Sequence, residues 1–266
     1  MEEQHKGLDL LNLEKEQRFL LSQELFQKKK KRQMKHPQKK KIAQNLKRIK
    51  EKIAQKNNSK KTTIVAVTKT RSPEEVSEII SLGIESIGEN RVQEAENKFS
   101  KVSNIQLVEK RLIGSLQRNK VKKAINLFDT IDSVGSYRLA EKISNTANIL
   151  SKKQRILIQI NTSKEKTKGG FNPEDKKEIL KCFNLSNIKI EGLMTMGPPT
   201  NRKEETKKSF TLLKTIFLDI NKKVLPTQRM RTLSMGMSGD FLIGISCGST
   251  MVRIGTEIFG EREYVA

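Results

Sequence analysis

Between residues 63 and 254, short runs of β-branched and aliphatic residues alternate with longer segments that have the spacing of amphipathic helices. Alternation of this kind is typical of α/β folds with a parallel sheet. The run 64–67 has no polar residue, which indicates a strand that is buried on both faces. The predicted strands are residues 63–68, 84–87, 111–113, 128–131, 155–160, 188–194, 231–234 and 250–254.

Eight strands that alternate with helices predict a single-domain α/β fold, the (β/α)8 TIM barrel. An open doubly wound sheet remains the alternative, because periodicity alone does not show whether the sheet closes. The glycine-rich fingerprints of nucleotide-binding folds, G-x-G-x-x-G and G-x-x-x-x-G-K-[ST], are missing from the expected positions. The predicted helices cover residues 73–82, 91–99, 117–126, 136–146, 174–182, 202–222 and 239–245.

Several helix boundaries can be predicted from single residues. Ser72, Pro73 and Glu75 have the order of a capping box with proline at the first helical position. Asn172 precedes a proline in the same manner and predicts another helix start. Gly83 suits the left-handed position that commonly ends a helix.

The net charge of +23 lies mostly near the N-terminus. Residues 28–61 contain sixteen Lys and Arg and one acid, Glu51, so that this segment alone carries +15. Blocks of like charge are usually solvated or disordered, and they can contact polyanions. We therefore divide the chain into a charged extension (residues 1–41), partly helical or disordered, and a barrel (residues 42–266).

The extension includes an apolar pattern over residues 8–27 that predicts a loosely attached amphipathic helix. The barrel domain opens with one apolar helical face, formed by Ile42, Leu46, Ile49 and Ile53.

Several classes of protein and site are excluded. No apolar run approaches the roughly 20 residues that a membrane-spanning helix needs. Cys182 and Cys247 are too few and too far apart for a disulfide scaffold or a cysteine zinc site, and they fit a reducing compartment. His5 and His36 both lie in the leading segment, so we expect no histidine-based triad or metal site in the barrel. We expect a cytoplasmic protein, with an organelle stroma as an open alternative.

In a barrel the functional residues lie at the C-terminal ends of the strands. Lys69 directly follows the first predicted strand. Partial burial beside the second cation of Arg71 would favour a neutral, imine-forming amine there. An ordinary lysine at a strand end is the simpler alternative.

The two last strands are followed by small and hydroxyl-bearing residues. Ser238 follows the seventh strand, and Gly255 and Thr256 follow the eighth, where barrels often bind phosphate. A turn that is merely rich in glycine and serine is the alternative. Arg253 lies near the end of a buried strand and needs a ligand or a carboxylate as partner. Together with Lys69, these residues indicate a pyridoxal phosphate barrel.

The chain resembles the pyridoxal-phosphate homeostasis protein family of the YggS/PROSC type, which is related to the N-terminal barrel of alanine racemases. Each motif alone is weak, but together and in this order they are specific, and they span about residues 42–260. The matching stretches are 66–70 (AVTKT), 87–94 (IGENRVQE), 112–120 (LIGSLQRNK), 131–134 (IDSV), 191–196 (EGLMTM), 233–240 (LSMGMSGD), 248–256 (GSTMVRIGT) and 259–260.

The resemblance implies specific roles for six residues. Lys69 would carry pyridoxal 5'-phosphate as an internal aldimine, and Arg253 would face the pyridine nitrogen. Because an arginine keeps its proton, that nitrogen would stay unprotonated and the ring would be a poor electron sink. Asn90 would lie on the oxygen side of the ring. The phosphate would be held by Ser238, Gly255 and Thr256.

Two departures from the family pattern and one absence qualify the resemblance. Arg111 stands where the family usually has histidine, and the basic leader is unusual for the family. Alanine racemases add a separate β-domain with a catalytic tyrosine, whereas the tyrosines here are Tyr137 and Tyr264. We therefore expect a monomeric carrier that serves pyridoxal phosphate (vitamin B6) homeostasis, delivers cofactor to apoenzymes and lacks robust catalysis.

Two alternatives of other classes remain open. The first is a pyridoxal-phosphate-dependent amino-acid racemase, which would racemise alanine well above the rate of free cofactor. The second is non-specific nucleic-acid binding through the basic leader, which would be salt-sensitive and would be lost when residues 1–41 are deleted.

Overall fold

The computed structural model describes residues 37–56, 61–163, 165, 168–200 and 202–261. The predicted helix over residues 8–27, residues 28–36 and 57–60 of the basic segment, and Tyr264 lie outside these residues. The division at residue 41 therefore stays a prediction. The helix that opens the described part runs over residues 37–56.

Eight parallel strands form a closed barrel in the order of the chain, with β8 paired to β1. This confirms the predicted (β/α)8 fold and excludes the open doubly wound sheet. The strands are β1 (Thr63–Val67), β2 (Ser86–Glu89), β3 (Glu109–Leu112), β4 (Thr130–Val134), β5 (Gln154–Gln159), β6 (Ile188–Met194), β7 (Thr232–Met237) and β8 (Met251–Ile254).

Helices follow or precede each strand, as the alternation predicts. Short 3-10 turns occur at Ile105–Leu107, Arg118–Lys120, Cys182–Asn184 and Pro226–Gln228. The helices are α1 (residues 37–56), α2 (Pro73–Ser81), α3 (Val92–Phe99), α4 (Val121–Leu127), α5 (Tyr137–Ile149), α6 (Lys176–Lys181), α7 (Lys203–Asn221), α8 (Phe241–Ser246) and α9 (Thr256–Phe259).

Three strands lie further along the chain than predicted. The apolar residues Ile84 and Phe128 come before β2 and β4, and β7 extends to Met237. The C-terminal halves of these strands carry polar residues or glycine, such as Glu89 and Asp132. An apolar run therefore marks where a strand begins but misses its polar end, which is the end that faces a barrel site.

Two of the three predicted helix boundaries are confirmed. The Ser72 side chain accepts from the Glu75 N–H, and the Glu75 carboxylate accepts from the Ser72 N–H, which completes the capping box. Gly83 has a φ of 79° just after α2. The start at Asn172 is wrong, because Asn172 caps only a local turn by accepting from the Glu174 N–H, and α6 begins at Lys176.

Apolar side chains fill the lumen and the space under the helices. Val65, Leu157, Met194 and Met251 pack together, and β1 and β5 lie on opposite sides of the closed sheet, so they meet inside the barrel. The predicted apolar face of α1 is buried at each of its members, Ile42, Leu46, Ile49 and Ile53. No helix within the described residues is both long and apolar enough to span a membrane.

Candidate functional site

A cavity of about 600 Å³ lies at the C-terminal ends of the strands. Three of the six predicted site residues line it, namely Lys69, Asn90 and Arg253. Lys69 lies in the turn directly after β1, Asn90 follows β2, and Arg253 belongs to β8. Closure of the barrel brings them together, because β8 pairs with β1 so that Arg253 is level with Val65.

The other three predicted residues form a second group beside the cavity. The Ser238 hydroxyl accepts from the N–H of Gly255 at 3.3 Å and from the N–H of Glu257 at 3.5 Å. Thr256 is the first residue of α9. Gly255 lies against Val67, a cavity-lining residue, and a Cβ at Gly255 would meet the Val67 Cβ at 3.3 Å. A hydroxyl and two backbone N–H groups therefore converge next to the cavity.

The N–H groups at this point belong to α9 and not to α8, the helix that the sequence places after Ser238. At the start of α8, the Asp240 carboxylate accepts from the Met237 N–H at 2.6 Å. Burial raises the pKa of Asp240, and the bond from Met237 and the charge of Arg253 oppose that rise.

Arg253 is buried, and its guanidinium is fixed by neutral oxygens. Nη1 donates to the Ser234 hydroxyl at 2.7 Å and to the Ser234 carbonyl, and Nη2 donates to the Thr195 carbonyl at 2.8 Å. Burial lowers the pKa of Arg253 from its ordinary value, and the charges of Asp132 and Asp240 oppose that shift. No carboxylate among the described residues lies within ion-pair distance of this guanidinium, so it presents a positive charge at the cavity.

The neighbour predicted to act on Lys69 is engaged elsewhere. Arg71 forms an ion pair with Glu75 at 3.5 Å and donates to the Gly260 carbonyl at 2.6 Å. Its guanidinium also lies 5.3 Å from the centre of the Phe259 ring. The Glu75 carboxylate therefore offsets the second cation that the sequence places beside Lys69.

Arg111, at the position where the resemblance described above implies a histidine, is the centre of a buried charge network in the barrel interior. Its Nη1 donates to both carboxylate oxygens of Asp132, at 3.0 and 3.2 Å. Its Nε donates to Glu109 and to the Ser86 hydroxyl. Asp132 is 0 % exposed. Burial raises the pKa of Asp132, and the facing charge of Arg111 opposes that rise. Arg111 thus supplies a structural ion pair.

Several cavity residues were missed by the sequence analysis. Lys168 follows β5 and donates to the Glu165 carboxylate at 2.8 Å and to the Gly197 carbonyl at 2.7 Å. Ser133 on β4 donates to the Gly114 carbonyl at 2.6 Å. The signal for both residues is their position near the C-terminal end of a barrel strand, which is the rule that locates Lys69.

A further cavity, of about 940 Å³, lies around the N-terminal ends of β6 and β7. None of the six predicted residues lines it. Barrel enzymes place their chemistry at the opposite face, and residues at the N-terminal face usually serve stability. We therefore assign the smaller cavity as the candidate site.

Gly114 is required for the wall of the cavity. A Cβ at Gly114 would lie 2.2 Å from the Asn90 carbonyl oxygen, which is far inside contact distance. We expect Gly114→Ala to displace the Asn90 backbone and to lower the free energy of unfolding by about 1–3 kcal/mol, measured by urea denaturation. Gly169→Ala is the matched control, because a Cβ at this other cavity glycine meets nothing within 4 Å. An unchanged midpoint for Gly114→Ala would contradict the close approach.

Comparison with known proteins places the chain in a family. The sequence profile described as "Alanine racemase, N-terminal domain" matches residues 38–263. The pyridoxal phosphate homeostasis protein of Pasteurella multocida is 36 % identical over 231 residues, which cover 84 % of this chain and 98 % of that protein. The protein of the same name from Aquifex aeolicus is 37 % identical over 202 residues, which cover 76 % and 87 %.

Solved structures agree with these sequence relatives. PipY of Synechococcus elongatus, with pyridoxal phosphate bound, superimposes with a TM-score of 0.74 at 31 % identity and covers 82 % of this chain and 100 % of PipY. An alanine racemase from Clostridium difficile has a TM-score of 0.67 at 19 % identity, covers 85 % of this chain and 58 % of the racemase, and shows the fold alone. The chain therefore belongs to the pyridoxal phosphate homeostasis protein family, within the wider group defined by the alanine racemase N-terminal domain.

Proposed function

We propose that this protein binds pyridoxal 5'-phosphate at the cavity, through Lys69, and serves pyridoxal phosphate homeostasis. The observation that carries the proposal is the convergence at one barrel mouth of a primary amine, a buried guanidinium and a group of hydroxyl and N–H donors. PipY, a family member, has been solved with pyridoxal phosphate bound. When bound, this cofactor supplies an aldehyde that condenses reversibly with amines and a ring that can withdraw electrons.

The residues present fit the three parts of the cofactor. Ser238 and the N–H groups of Gly255 and Glu257 already share hydrogen bonds, so they can be redirected to phosphate oxygens without rebuilding the backbone. Thr256 adds a hydroxyl at the same place. Lys69 contributes the amine, and Asn90 lines the cavity between Lys69 and β3 as a polar contact for the ring oxygen.

Arg253 is proposed to hold the ring nitrogen as a hydrogen-bond donor. An arginine guanidinium is not deprotonated in proteins, so it cannot pass a proton to the ring. The fixed bonds to Ser234 and Thr195 keep this donor in place. Such a donor leaves the ring a weak electron sink, which disfavours chemistry at the carbon atoms of a bound amino acid.

We propose a carrier and not a racemase. Racemisation requires an acid and a base on opposite faces of the carbon, and among the described residues that line the cavity there is no tyrosine or histidine. Lys168 is held by Glu165 and Gly197. Transfer of the cofactor to apoenzymes, a monomeric state and a reducing, cytoplasmic compartment are parts of the same proposal. An alanine racemisation rate well above that of free cofactor would contradict it.

The experiment that tests the binding proposal locates the covalent link. The purified protein is incubated with pyridoxal phosphate, reduced with borohydride, and mapped by peptide mass spectrometry. We expect one modified lysine, Lys69. Pyridoxal, which has no phosphate, should modify Lys69 far more weakly at equal concentration. Modification spread over surface lysines, or equal modification by the two aldehydes, would contradict the proposed site.

Ser238→Ala tests the phosphate half of the site. Loss of a hydrogen bond to a charged group costs about 1.5–3 kcal/mol, so we expect affinity for pyridoxal phosphate to fall about ten- to a hundredfold. Affinity is measured by spectrophotometric titration. Ser246→Ala is the matched control, because the Ser246 hydroxyl donates to the Ile243 carbonyl of its own helix and Ser246 does not line the cavity. If pyridoxal binding falls as much as pyridoxal phosphate binding, Ser238 does not act on the phosphate.

A further inference from the structure

A buried lysine on α3 lies against the turn that carries Lys69. The Lys98 side chain is 7 % exposed, and its ammonium donates three hydrogen bonds, each of 2.8 Å. The acceptors are the Thr68 carbonyl, one oxygen of Glu89 and one oxygen of Glu94. All three N–H groups of the ammonium are thus satisfied, which is the condition under which a buried charge is tolerated.

Lys98 and its partner Glu94 each hold one of the two peptide groups on either side of the Lys69 Cα. The Thr68 carbonyl belongs to the peptide group before Lys69, and it accepts from Lys98. The Thr70 N–H belongs to the peptide group after Lys69, and it donates to the same Glu94 oxygen that accepts from Lys98. One ammonium and one carboxylate therefore restrain both backbone neighbours of Lys69.

The backbone at this turn needs restraint. Thr70 has a φ of 64°, in the left-handed region that β-branched residues rarely adopt. The turn closes with a bond from the Arg71 N–H to the Thr68 carbonyl at 3.0 Å. Because the conformation is intrinsically unfavourable for threonine, the surrounding contacts must hold it.

The third acceptor, Glu89, ties the network to the barrel wall. Glu89 is the last residue of β2, is 0 % exposed, and also accepts from the Thr68 hydroxyl at 2.7 Å. Its second oxygen is buried with no hydrogen-bond partner among the described residues. Burial raises the pKa of Glu89, and the hydrogen bonds and charge from Lys98 and Thr68 oppose that rise. These two partners therefore favour the charged form of the carboxylate.

We propose that Lys98 and Glu94 are positioning residues that aim the Lys69 side chain into the cavity by holding its two flanking peptide groups. The inference rests on the proposed covalent role of Lys69 and extends it to two residues outside the cavity lining. We call the contacts of Lys98 and Glu94 to these two peptide groups the clamp. Breaking the clamp should change the direction in which the Lys69 side chain points. The Lys69 amine should remain as basic and as accessible to a small reagent, but it should meet the bound aldehyde less often.

The test uses Glu94, because its side chain is 26 % exposed and tolerates replacement better than the buried Lys98. Glu94→Leu removes the acceptor for the Thr70 N–H, whereas Glu94→Gln retains an amide oxygen at the same place. Glu96→Leu is the matched control on the same helix, because the partners of Glu96 among the described residues are Lys123 and Gln93 at the surface. Glu94→Ala replaces Glu94→Leu if the leucine variant does not fold.

Two rates are measured under conditions where urea denaturation shows each variant to be folded. The first is the rate constant for capture of pyridoxal phosphate, followed by the visible absorbance. The second is the rate at which acetic anhydride acetylates Lys69 in cofactor-free protein, followed by mass spectrometry. We expect Glu94→Leu to slow capture at least tenfold while acetylation changes less than twofold. Glu94→Gln and Glu96→Leu should stay within twofold of wild type in both rates.

Each other outcome overturns the inference in a distinct way. Unchanged capture in Glu94→Leu shows that the clamp is not needed. Equal slowing of capture and acetylation shows an effect on the basicity or access of the amine. Slow capture in Glu94→Gln or Glu96→Leu shows that charge or helix stability is responsible. If wild type captures no cofactor at Lys69, the proposed function itself fails, and that result is separate from a difference among variants.

Discussion

Lys69→Ala is expected to abolish the visible absorbance band that pyridoxal phosphate gives with the wild-type protein. Lys69 lies in the turn after β1 and lines the same cavity as Arg253. Without the amine, the cofactor can bind only through phosphate and ring contacts. We therefore expect an all-or-none loss of the band in spectra recorded after removal of free cofactor, with the free energy of unfolding nearly unchanged.

The matched comparison is Lys168→Ala, which removes the other lysine that lines the same cavity within the described part of the chain. If the band depends on Lys69, it persists in Lys168→Ala at the same wavelength. The proposed site is wrong if Lys69→Ala keeps the wild-type spectrum, or if the band follows Lys168. A circular dichroism spectrum of each variant distinguishes loss of the amine from loss of the fold.

The second large effect is expected at the ion pair inside the barrel. Arg111→Ala would leave the fully buried Asp132 carboxylate without the guanidinium that donates to both of its oxygens. Removing one member of a buried pair usually costs about 3–5 kcal/mol. For a unit of this size, such a loss lowers the melting temperature by roughly 6–20 °C, measured by calorimetry. Lys110→Met is the control, because its partly exposed pair with Asp129 should contribute about 1 kcal/mol or less.

The destabilisation by Arg111→Ala should depend on pH in a defined direction. Without Arg111, the pKa of Asp132 in the folded state rises further above its value in the unfolded chain. Below the unfolded pKa, about 3.9, the carboxyl is protonated in both states and the penalty vanishes. Above about pH 3.9, the pKa of Asp132 in the unfolded chain, the loss of stability caused by the unpaired Asp132 carboxylate grows with pH. The loss reaches its full size once the pH exceeds the pKa of Asp132 in the folded variant. The difference from wild type should therefore be largest at neutral pH and shrink towards pH 4.

A second substitution separates the ion pair from simple loss of packing. Arg111→Met combined with Asp132→Asn removes both charges, so no unpaired carboxylate remains in the interior. We expect this double variant to be more stable than Arg111→Met alone at neutral pH. If the single variant is as stable as wild type at pH 7, Arg111 and Asp132 are not coupled as the geometry indicates.

The fold could be predicted because local patterns and global topology agree. Runs such as 64–67 identify strands that are buried on both faces, and the Ser72 capping box identifies a helix start. Closure of the sheet could not be predicted, because it depends on the pairing of β8 with β1, and no local pattern reports a contact between distant segments. Asn172 shows the opposite failure: a local start signal was present, but the chain made a turn there instead.

Placement of Lys69, Asn90 and Arg253 at one cavity follows from the rule about strand ends. What could not be predicted is which polar groups pair. Arg71 follows Lys69 closely in sequence but turns to Glu75 and Phe259. Lys98, thirty residues away from Thr68, is the group that contacts the Lys69 turn. Sequence periodicity assigns a residue to one face of a helix or strand. Which atoms of neighbouring elements come into contact is decided by how those elements pack in the folded protein.

The pairing of β1 with β8 sets an order of events during protein synthesis. Arg253 is level with Val65 in the barrel but is made about 190 residues later. When only the first seven strands of a nascent chain have left the ribosome, the Lys69 amine is present. Arg253, Gly255 and Thr256 are not yet available. The proposed cofactor site therefore comes into existence only when the last strand has left the ribosome and joined the first. Loading of the cofactor must follow completion of the barrel.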